Sequence, residues 1–284
     1  MDSIAVESAQ IQESDFLVAV RELNSLIGLK TVKTEIERII NLAKVDAIRR
    51  RRGLQTADMS FHMVFSGNPG TGKTTVARLL GRLFKGLGLL SKGHLVEVDR
   101  SCLCADYVGQ TATKTKKVIQ SALGGVLFID EAYSLNTKNG SGSQDYGKEA
   151  VSTLLKEMED HRDDLIVIVA GYTDLMDDFI SMNPGLESRF RFKIWFEDYT
   201  SEEMAMIFWS FCKRNGFGIT KEAYARIQRL FVSHTSGKEQ PFSNARLARN
   251  LFEDAVINQA QRLSKVDNPK DQELCILLQE DISA

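Results

Sequence analysis

Apolar residues follow two different spacings along this chain. Five short apolar runs alternate with stretches in which apolar residues recur every three or four positions, the spacing of an amphipathic helix. Val126 to Ile129 and Leu165 to Ala170 are apolar throughout, as strands covered on both faces should be. The predicted strands are 61–66, 94–98, 126–129, 165–170 and 193–196. This alternation predicts an α/β fold, with a doubly wound, mostly parallel sheet of five strands and helices on both faces.

The organisation changes after Tyr199. Thr200-Ser201-Glu202-Glu203 has the composition of a capped helix start, and three helical patterns follow, near 201–215, 220–234 and 243–264. We therefore predict a polar tail at 1–14, an α/β domain at 15–199 and a small helical domain at 200–284. In the helix predicted after Gly28, one face is apolar: Val32, Ile36, Ile39, Ile40 and Ala43.

The segment Gly67 to Thr74 matches the phosphate-loop motif G-x-x-x-x-G-K-[ST], between a predicted strand and a predicted helix. Glycines let backbone amides turn inward around a phosphate, and the dipole of the following helix favours negative charge there. Lys73 is expected to reach the β- and γ-phosphates of ATP, and Thr74 to coordinate Mg²⁺. The predicted nucleotide-binding residues are Asn68, Pro69, Gly70, Thr71, Gly72, Lys73, Thr74 and Thr75.

Two carboxylates, Asp130 and Glu131, follow the apolar run that ends at Ile129. An acidic pair after a strand is often only a cap, but the phosphate loop upstream favours a catalytic role. Asp130 is predicted to hold Mg²⁺ and Glu131 to orient or deprotonate the attacking water. Glu149 and Glu157 are interpreted as ordinary helix-surface charges.

The amino-acid composition argues against nucleic acid and membranes as partners. Lys and Arg number 36 against 38 Asp and Glu, for a net charge of −2, so no nucleic-acid partner is expected. The basic run Arg49 to Arg52 is interpreted as a solvated helix end. No apolar stretch approaches the roughly 18 residues of a membrane span. The polar N-terminus and four cysteines without disulfide or zinc spacing indicate a cytoplasmic protein.

These motifs, with others, resemble the AAA+ ATPases. More narrowly, they resemble the group of CbbX, CfxQ and stage V sporulation protein K, and also the type VII secretion ATPase EccA. Ten strings in order carry this resemblance: Leu26–Leu29, Phe61–Met63, Gly67–Thr75, Lys92–Leu95, Tyr107–Thr111, Gly125–Tyr133, Asp145–Ala150, Ala170–Tyr172, Asn183–Phe190 and Phe242–Arg246. The stretch Asn183–Phe190 favours the sporulation-type members. The resemblance implies an AAA+ P-loop NTPase with a C-terminal helical lid domain.

The resemblance also implies roles for two arginines. Arg189 occupies the position of an arginine finger, which a ring oligomer, expected to be a hexamer, would direct at the neighbouring subunit's γ-phosphate. Periodicity alone favours a surface arginine, and Arg191 is a nearby competitor. Arg246 occupies the sensor-2 position on the helical domain, where a helix-surface cation is the alternative.

Other roles rest on the same resemblance. Thr173 stands where sensor 1 usually carries asparagine, so its hydroxyl would have to position the water. Ile27 and Gly28 would pack against adenine, although Ile27 could equally be a core residue. Tyr107, Val108 and Gly109 correspond to a pore loop that grips a peptide, the alternative being a half-buried tyrosine that anchors the loop. The Gly/Ser-rich stretch 136–143 would form a second pore loop.

The leading hypothesis is therefore a ring-forming ATPase that remodels a protein client, which the sequence does not identify. A stand-alone NTPase or small-molecule kinase, a nucleotide-dependent assembly scaffold and a DNA-directed AAA+ protein are the alternatives. Within the leading class a Rubisco-activase-like role is one possibility, because fold does not fix the client.

Overall fold

The computed structural model describes residues 15–56, 59–105, 107, 109–136, 146–236 and 243–283. Most of the predicted second pore loop, 137–143, and the predicted tail, 1–14, lie outside these ranges. The described residues form two compact units. The first comprises the described residues up to Leu26 together with Lys30–Gly67 and Lys73–Phe196. The second comprises Ile27–Leu29, Asn68–Gly72 and the described residues from Glu197 onward. The predicted domain limits, 15–199 and 200–284, stay predictions.

The first unit is built on a five-stranded sheet. Its strands are β1 (Met63–Gly67), β2 (Leu95–Val98), β3 (Val126–Ile129), β4 (Ile166–Gly171) and β5 (Phe192–Phe196). Their order is β2-β3-β4-β1-β5 and every neighbouring pair is parallel, so the predicted parallel sheet is confirmed. The predicted run 61–66 begins two residues too early, because Phe61 and His62 precede the first residue of β1.

Helices precede β1 and connect the strands. They are α1 (15–25), α2 (Lys30–Arg51), α3 (Lys73–Gly86), α4 (Arg100–Leu103), α5 (Thr111–Ala122), α6 (Tyr146–Asp160), α7 (Thr173–Ser181) and α8 (Pro184–Arg189), with a 3-10 turn at Ala132–Leu135. The predicted apolar face of α2 is confirmed, since all five of its predicted residues are buried. Among the described residues, none of these helices combines the length and hydropathy needed to span a membrane.

Both faces of the sheet are covered. Leu127 and Ile129 of β3 belong to one apolar cluster with residues of α5, α6 and α7. Val126 points to the other face, as alternation along a strand requires. There it lies so close to α3 that a Cβ added to Gly81 would be 3.4 Å from its methyl group. The predicted surface role of Glu157 in α6 is wrong: the residue is only 8% exposed, and Lys116 Nζ and His161 Nε2 each lie 3.4 Å from one of its carboxylate oxygens.

The second unit is mainly helical. Its elements are α9 (Ser201–Arg214), β6 (Gly218–Ile219), α10 (Lys221–Ser236), α11 (Ala245–Leu263), α12 (Asp271–Leu274), β7 (Ile276–Leu277) and a 3-10 turn at Gln279–Asp281. The predicted cap of α9 is confirmed as a capping box between Thr200 and Glu203. Phe208, Phe211 and Phe217 surround Phe252 with ring centroids 5.8–6.2 Å away, which ties α9 to α11.

Candidate nucleotide-binding site

Parallel strands place several predicted site residues at one edge of the first unit. The carboxyl ends of parallel strands meet at the same edge of a sheet, where ligands bind in α/β folds. The phosphate-loop motif follows β1, Asp130 follows β3, and Thr173 comes two residues after β4, which lies between them. The structure therefore brings Lys73, Asp130, Glu131 and Thr173 to this edge.

Lys73 is the first residue of α3, and its position is fixed by the end of β1. Its Nζ donates to the carbonyl oxygen of Gly67 at 2.8 Å. The neighbouring Thr74 hydroxyl donates to Oε1 of Glu97 at 3.3 Å. Glu97 lies on β2, and sequence reasoning missed it because one glutamate inside an apolar run resembles a solvent-facing strand position. Thr75 is exposed in the same turn, where the amides of a helix start have no helical acceptors.

Within the acidic pair, Glu131 has a strained backbone. Asp130 is part-buried, and Glu131 is exposed with φ 48° and ψ 41°, in the left-handed region that a non-glycine residue rarely adopts. The Glu131 amide donates to Oδ1 of Asp130 at 3.0 Å. Such strain costs about 1–3 kcal/mol and persists mainly where the surroundings impose it, often at functional sites. The backbone therefore turns at Glu131, just after β3, and the Glu131 side chain is exposed to solvent.

Two tyrosines lie beside this pair. Tyr133 and Tyr172 have ring centroids 6.1 Å apart. Burial, followed by the negative charges of Glu131 and Asp130, raises the pKa of Tyr133 to about 12. The Tyr133 phenol therefore stays protonated near the carboxylates. Thr173, next in the chain, is part-buried at the start of α7.

Gly70 and Gly72 of the phosphate loop belong to the second unit. Gly70 has φ 74°, and a Cβ there would lie 2.3 Å from the carbonyl oxygen of Ser243 and 3.0 Å from the amide nitrogen of Arg246. The amide of Ala245, the first residue of α11, donates to the carbonyl of Gly70 at 3.1 Å. Only glycine fits this approach between the loop and the helix that carries Arg246. Arg246 itself is exposed.

Ile27 and Gly28 also belong to the second unit. Ile27 is half-buried, which leaves both predicted roles open. Gly28 has φ 63°, and a Cβ there would lie 2.6 Å from Oε1 of Glu203, the capping glutamate of α9. The glycine is thus required by close packing against α9.

The predicted pore loop is only partly described. Tyr107 is 71% exposed rather than half-buried, and Gly109 has φ 75° with no atom of the described residues within 4 Å of an added Cβ. Val108 lies outside the described residues. The base of this loop is held by buried threonines: the Ala105 amide donates to Thr111 Oγ1 at 3.1 Å, and Thr115 Oγ1 donates to the Leu103 carbonyl at 3.0 Å.

Arg189 lies at the opposite edge of the sheet. It is the last residue of α8, a short helix that Asn183 caps and Pro184 begins. Arg189 precedes β5 by three residues, just as Ser60 precedes β1 by three residues. The Ser60 hydroxyl donates to the carbonyl oxygen of Arg189 at 3.2 Å. Its guanidinium pairs with Glu159 at 3.1 Å. The structure therefore does not bring Arg189 to Lys73 within one copy of the chain.

Arg189 lines a polar pocket of about 290 Å³ with Arg50, Glu159, Arg162 and buried His62. The Val167 amide donates to Nδ1 of His62 at 2.9 Å, which fixes a neutral imidazole. Burial, with the positive charge of Arg189 as a second cause, lowers the pKa of His62 to about 4. The histidine is thus uncharged at neutral pH.

Two family models match the chain. The model of the ATPase family associated with various cellular activities (AAA) matches residues 63–198, and the AAA lid domain model matches residues 200–284. A parallel sheet with a phosphate loop after β1 and an acidic pair after β3 is the architecture of this class. The chain belongs to the AAA family.

Relatives within this family share most of its length. Stage V sporulation protein K of Bacillus subtilis is 41% identical, covering 93% of this chain and 81% of its own. The chloroplastic ribulose bisphosphate carboxylase/oxygenase activase of Cyanidioschyzon merolae is 46% identical, covering 84% and 80%. CbbX of Cereibacter sphaeroides is 44% identical, covering 91% and 83%. The predicted resemblance is confirmed, but these identities do not favour the sporulation type.

Solved structures confirm the fold. The FIGL-1 AAA domain superposes with a TM-score of 0.61 at 18% identity, covering 91% of this chain and 80% of that one. RuvB of Thermotoga maritima superposes with a TM-score of 0.57 at 20% identity, covering 89% and 70%. At such identities the likeness establishes architecture only.

The strain at Glu131 can be tested by Glu131→Gly. Glycine accepts positive φ, so we expect the free energy of unfolding to rise by about 0.5–1 kcal/mol, the cost of the left-handed conformation less the entropy cost of glycine. Urea unfolding of wild type, Glu131→Gly and Glu131→Ala measures this, since alanine lacks the carboxylate but keeps the strain. A glycine variant no more stable than the alanine variant would contradict a strain that exceeds the entropy cost of glycine.

The burial of neutral His62 predicts a pH-dependent stability. Between pH 6.5 and 4 the unfolded chain binds a proton at this histidine that the folded chain does not, so stability falls as pH is lowered. From pH 7 to pH 4.5 we expect a loss on the order of 2–3 kcal/mol from this group. His62→Gln keeps an acceptor for Val167 and should lose correspondingly less stability over this range in urea unfolding. An identical pH dependence in both proteins would contradict this assignment.

Proposed function

We propose that this chain is a Mg²⁺-dependent ATPase that works as a ring, with six copies expected, and remodels a protein client. The observation that carries the proposal is the distance between Lys73 and Arg189 along the sheet. The phosphate loop and acidic pair follow the strands, whereas Arg189 precedes β5. At about 3.3 Å per residue, the five residues of β1 separate these edges by about 13 Å.

The Arg189 side chain is also engaged away from the carboxyl edge. Nη2 pairs with Glu159, and Nη1 donates to the carbonyl of Gly185 at 3.4 Å. In a ring, the Arg189 guanidinium, at the edge opposite the carboxyl edge, can instead approach the nucleotide of the next subunit. An arginine supplied in this way is worth roughly 10³–10⁵ in rate.

The residues at the carboxyl edge fit Mg²⁺-ATP chemically. The positive φ of Gly70 and Gly72 allows loop amides to turn toward phosphate, and Lys73 supplies a cation. Thr74 and Asp130 offer the oxygen ligands that Mg²⁺ prefers. Bound Mg²⁺ would neutralise charge on the phosphate oxygens.

Each protein group then has one task. Glu131 accepts the proton of the attacking water, and the Thr173 hydroxyl orients that water. Arg189 of the neighbouring subunit stabilises the charge that develops on the transferred phosphoryl group. Arg246 contacts the phosphates from the lid, while Ile27 and Gly28 contact adenine.

We propose that the loop at Tyr107 contacts the client. Its exposed ring, next to glycine, can pack on an extended peptide without a particular sequence. The names of the relatives include a Rubisco activase and a sporulation protein, so they do not select one client. The cytoplasmic location stays a prediction.

Mixing two inactive variants tests the shared site. Lys73→Ala loses its own nucleotide pocket but keeps Arg189, and Arg189→Ala has the converse defect. Equal mixing should restore up to about a quarter of wild-type turnover, since one interface in four combines both intact groups in a random ring. Phosphate release by each variant and by the mixture measures it.

Arg191→Ala is the matched control, because Arg191 is exposed two residues away and should leave turnover unchanged. Failure of the mixture to recover, with mixed rings shown by co-purification of differently tagged variants, would support a stand-alone NTPase. Nucleotide binding without phosphate release by the wild type would support a scaffold.

Glu131→Gln should separate binding from hydrolysis. The amide keeps the shape of the carboxylate but cannot accept a proton, so turnover should fall by about 10²–10⁴ while nucleotide stays bound. Nucleotide content after gel filtration and the mass of the particle measure both. Monomers carrying ATP would count against the ring.

A further inference from the structure

Asn244, just before α11, has an unusual backbone for a residue with a side chain. Its side chain is fully buried, and its φ of 50° and ψ of −128° match the first central residue of a type II′ turn, a position that favours glycine. Glycine would adopt this conformation without strain. What asparagine adds is its side-chain amide, and strain of this kind persists where surrounding contacts over-determine it.

The amide of Asn244 forms hydrogen bonds through both its oxygen and its nitrogen. Its Oδ1 accepts from the backbone amide of Tyr199 at 2.9 Å. Its Nδ2 donates to the carbonyl of Pro69 at 3.2 Å and to Oδ1 of Asp198 at 2.8 Å. Asp198 in turn accepts from Nδ2 of Asn68, at 3.0 Å on one oxygen and 2.9 Å on the other. A buried asparagine thus links the lid to two loop residues.

Tyr199 makes a further connection to the phosphate loop. Its buried hydroxyl donates to the carbonyl of Thr71 at 3.2 Å. Burial, with the charge of Glu203 as a lesser cause, raises its pKa to about 12, so it stays a donor at neutral pH. With the Ala245 amide on Gly70, every residue from Asn68 to Thr71 has a hydrogen bond to the part of the second unit that begins at Glu197.

We propose that Asn244, Asp198 and Tyr199, here called the loop anchor, position the phosphate loop for nucleotide binding. The anchor orients the loop by binding the carbonyl groups of Pro69 and Thr71 and the side chain of Asn68. The backbone amides of the loop are therefore left available to phosphate. It also makes the loop and the first turn of α11 one hydrogen-bonded unit. Binding at the loop is thereby communicated to the lid without requiring Arg246. This inference rests on the proposed function.

The negative charge of Asp198 affects phosphate binding at the loop. A carboxylate beside a phosphate loop opposes anion binding unless donors surround it. Asn68 and Asn244 supply those donors. Loss of the Asn244 amide therefore both releases the Pro69 carbonyl and exposes the loop to a less compensated negative charge.

Asn244→Gly is the first test, because glycine keeps the backbone conformation and removes only the amide. Titration with a fluorescent ADP analogue should give a Kd at least about tenfold higher than that of wild type, as expected for the loss of one buried and two part-buried hydrogen bonds. The thermal midpoint without nucleotide should change little, because relief of strain offsets the lost bonds. Unchanged affinity in a folded variant would overturn the proposal.

A charge swap tests the pair directly. Asn244→Asp places two carboxylates 2.8 Å apart and should weaken binding more than Asn244→Gly. Adding Asp198→Asn restores one donor and one acceptor and should recover most of the affinity. Recovery should stay incomplete, because Pro69 then lacks its donor. An affinity in the double variant no better than in Asn244→Asp would overturn the pairing.

Three further variants keep the test interpretable. Tyr199→Phe removes only the bond to Thr71 and should raise the Kd by about threefold. Asn258→Ala is the matched control: this lid asparagine donates to the Asp281 carbonyl at 3.0 Å, and its loss should leave affinity unchanged. Lys73→Ala should abolish binding. Wild-type affinity in Lys73→Ala would refute the nucleotide site itself, whereas wild-type affinity in Asn244→Gly alone would refute only the loop anchor.

Discussion

The polarity of the parallel sheet is the constraint on which the account depends. Because β1 and β3 to β5 run in one direction, whatever follows a strand lies at one edge and whatever precedes a strand lies at the other. Lys73 and Asp130 follow strands, and Arg189 precedes one. A side chain cannot cross the buried core between these edges. In the proposed function, Arg189 therefore acts on the nucleotide site of another copy and not on that of its own chain.

Two residues with proposed roles at the site have a strained backbone. Glu131 and Asn244 are both non-glycine residues at positive φ, one directing a carboxylate outward and the other an amide inward. Each conformation costs free energy that other contacts must offset. The two residues differ in solvent access, since Glu131 is exposed and Asn244 is buried. This difference matches a reacting group in the first case and a positioning group in the second.

Much of this structure could be predicted from the sequence. The doubly covered strands β3 and β4 are continuous apolar runs, and the spacing in α2 gives its buried face. The phosphate loop was predictable because its chemistry is local to a few consecutive residues. Pairings of distant residues were not: Asn68 and Asp198 are 130 positions apart, and no periodicity encodes their contact. Glu97 beside Thr74 and Glu157 under Lys116 escaped prediction for the same reason.

The dependence of turnover on assembly tests the central claim most directly. Turnover per chain should be measured across a dilution series while particle mass is recorded in the same samples. If Arg189 of one copy completes the site of the next, turnover per chain falls in parallel with loss of the ring. Constant turnover in samples that contain only single copies would contradict the account and leave a nucleotide site that each chain completes alone.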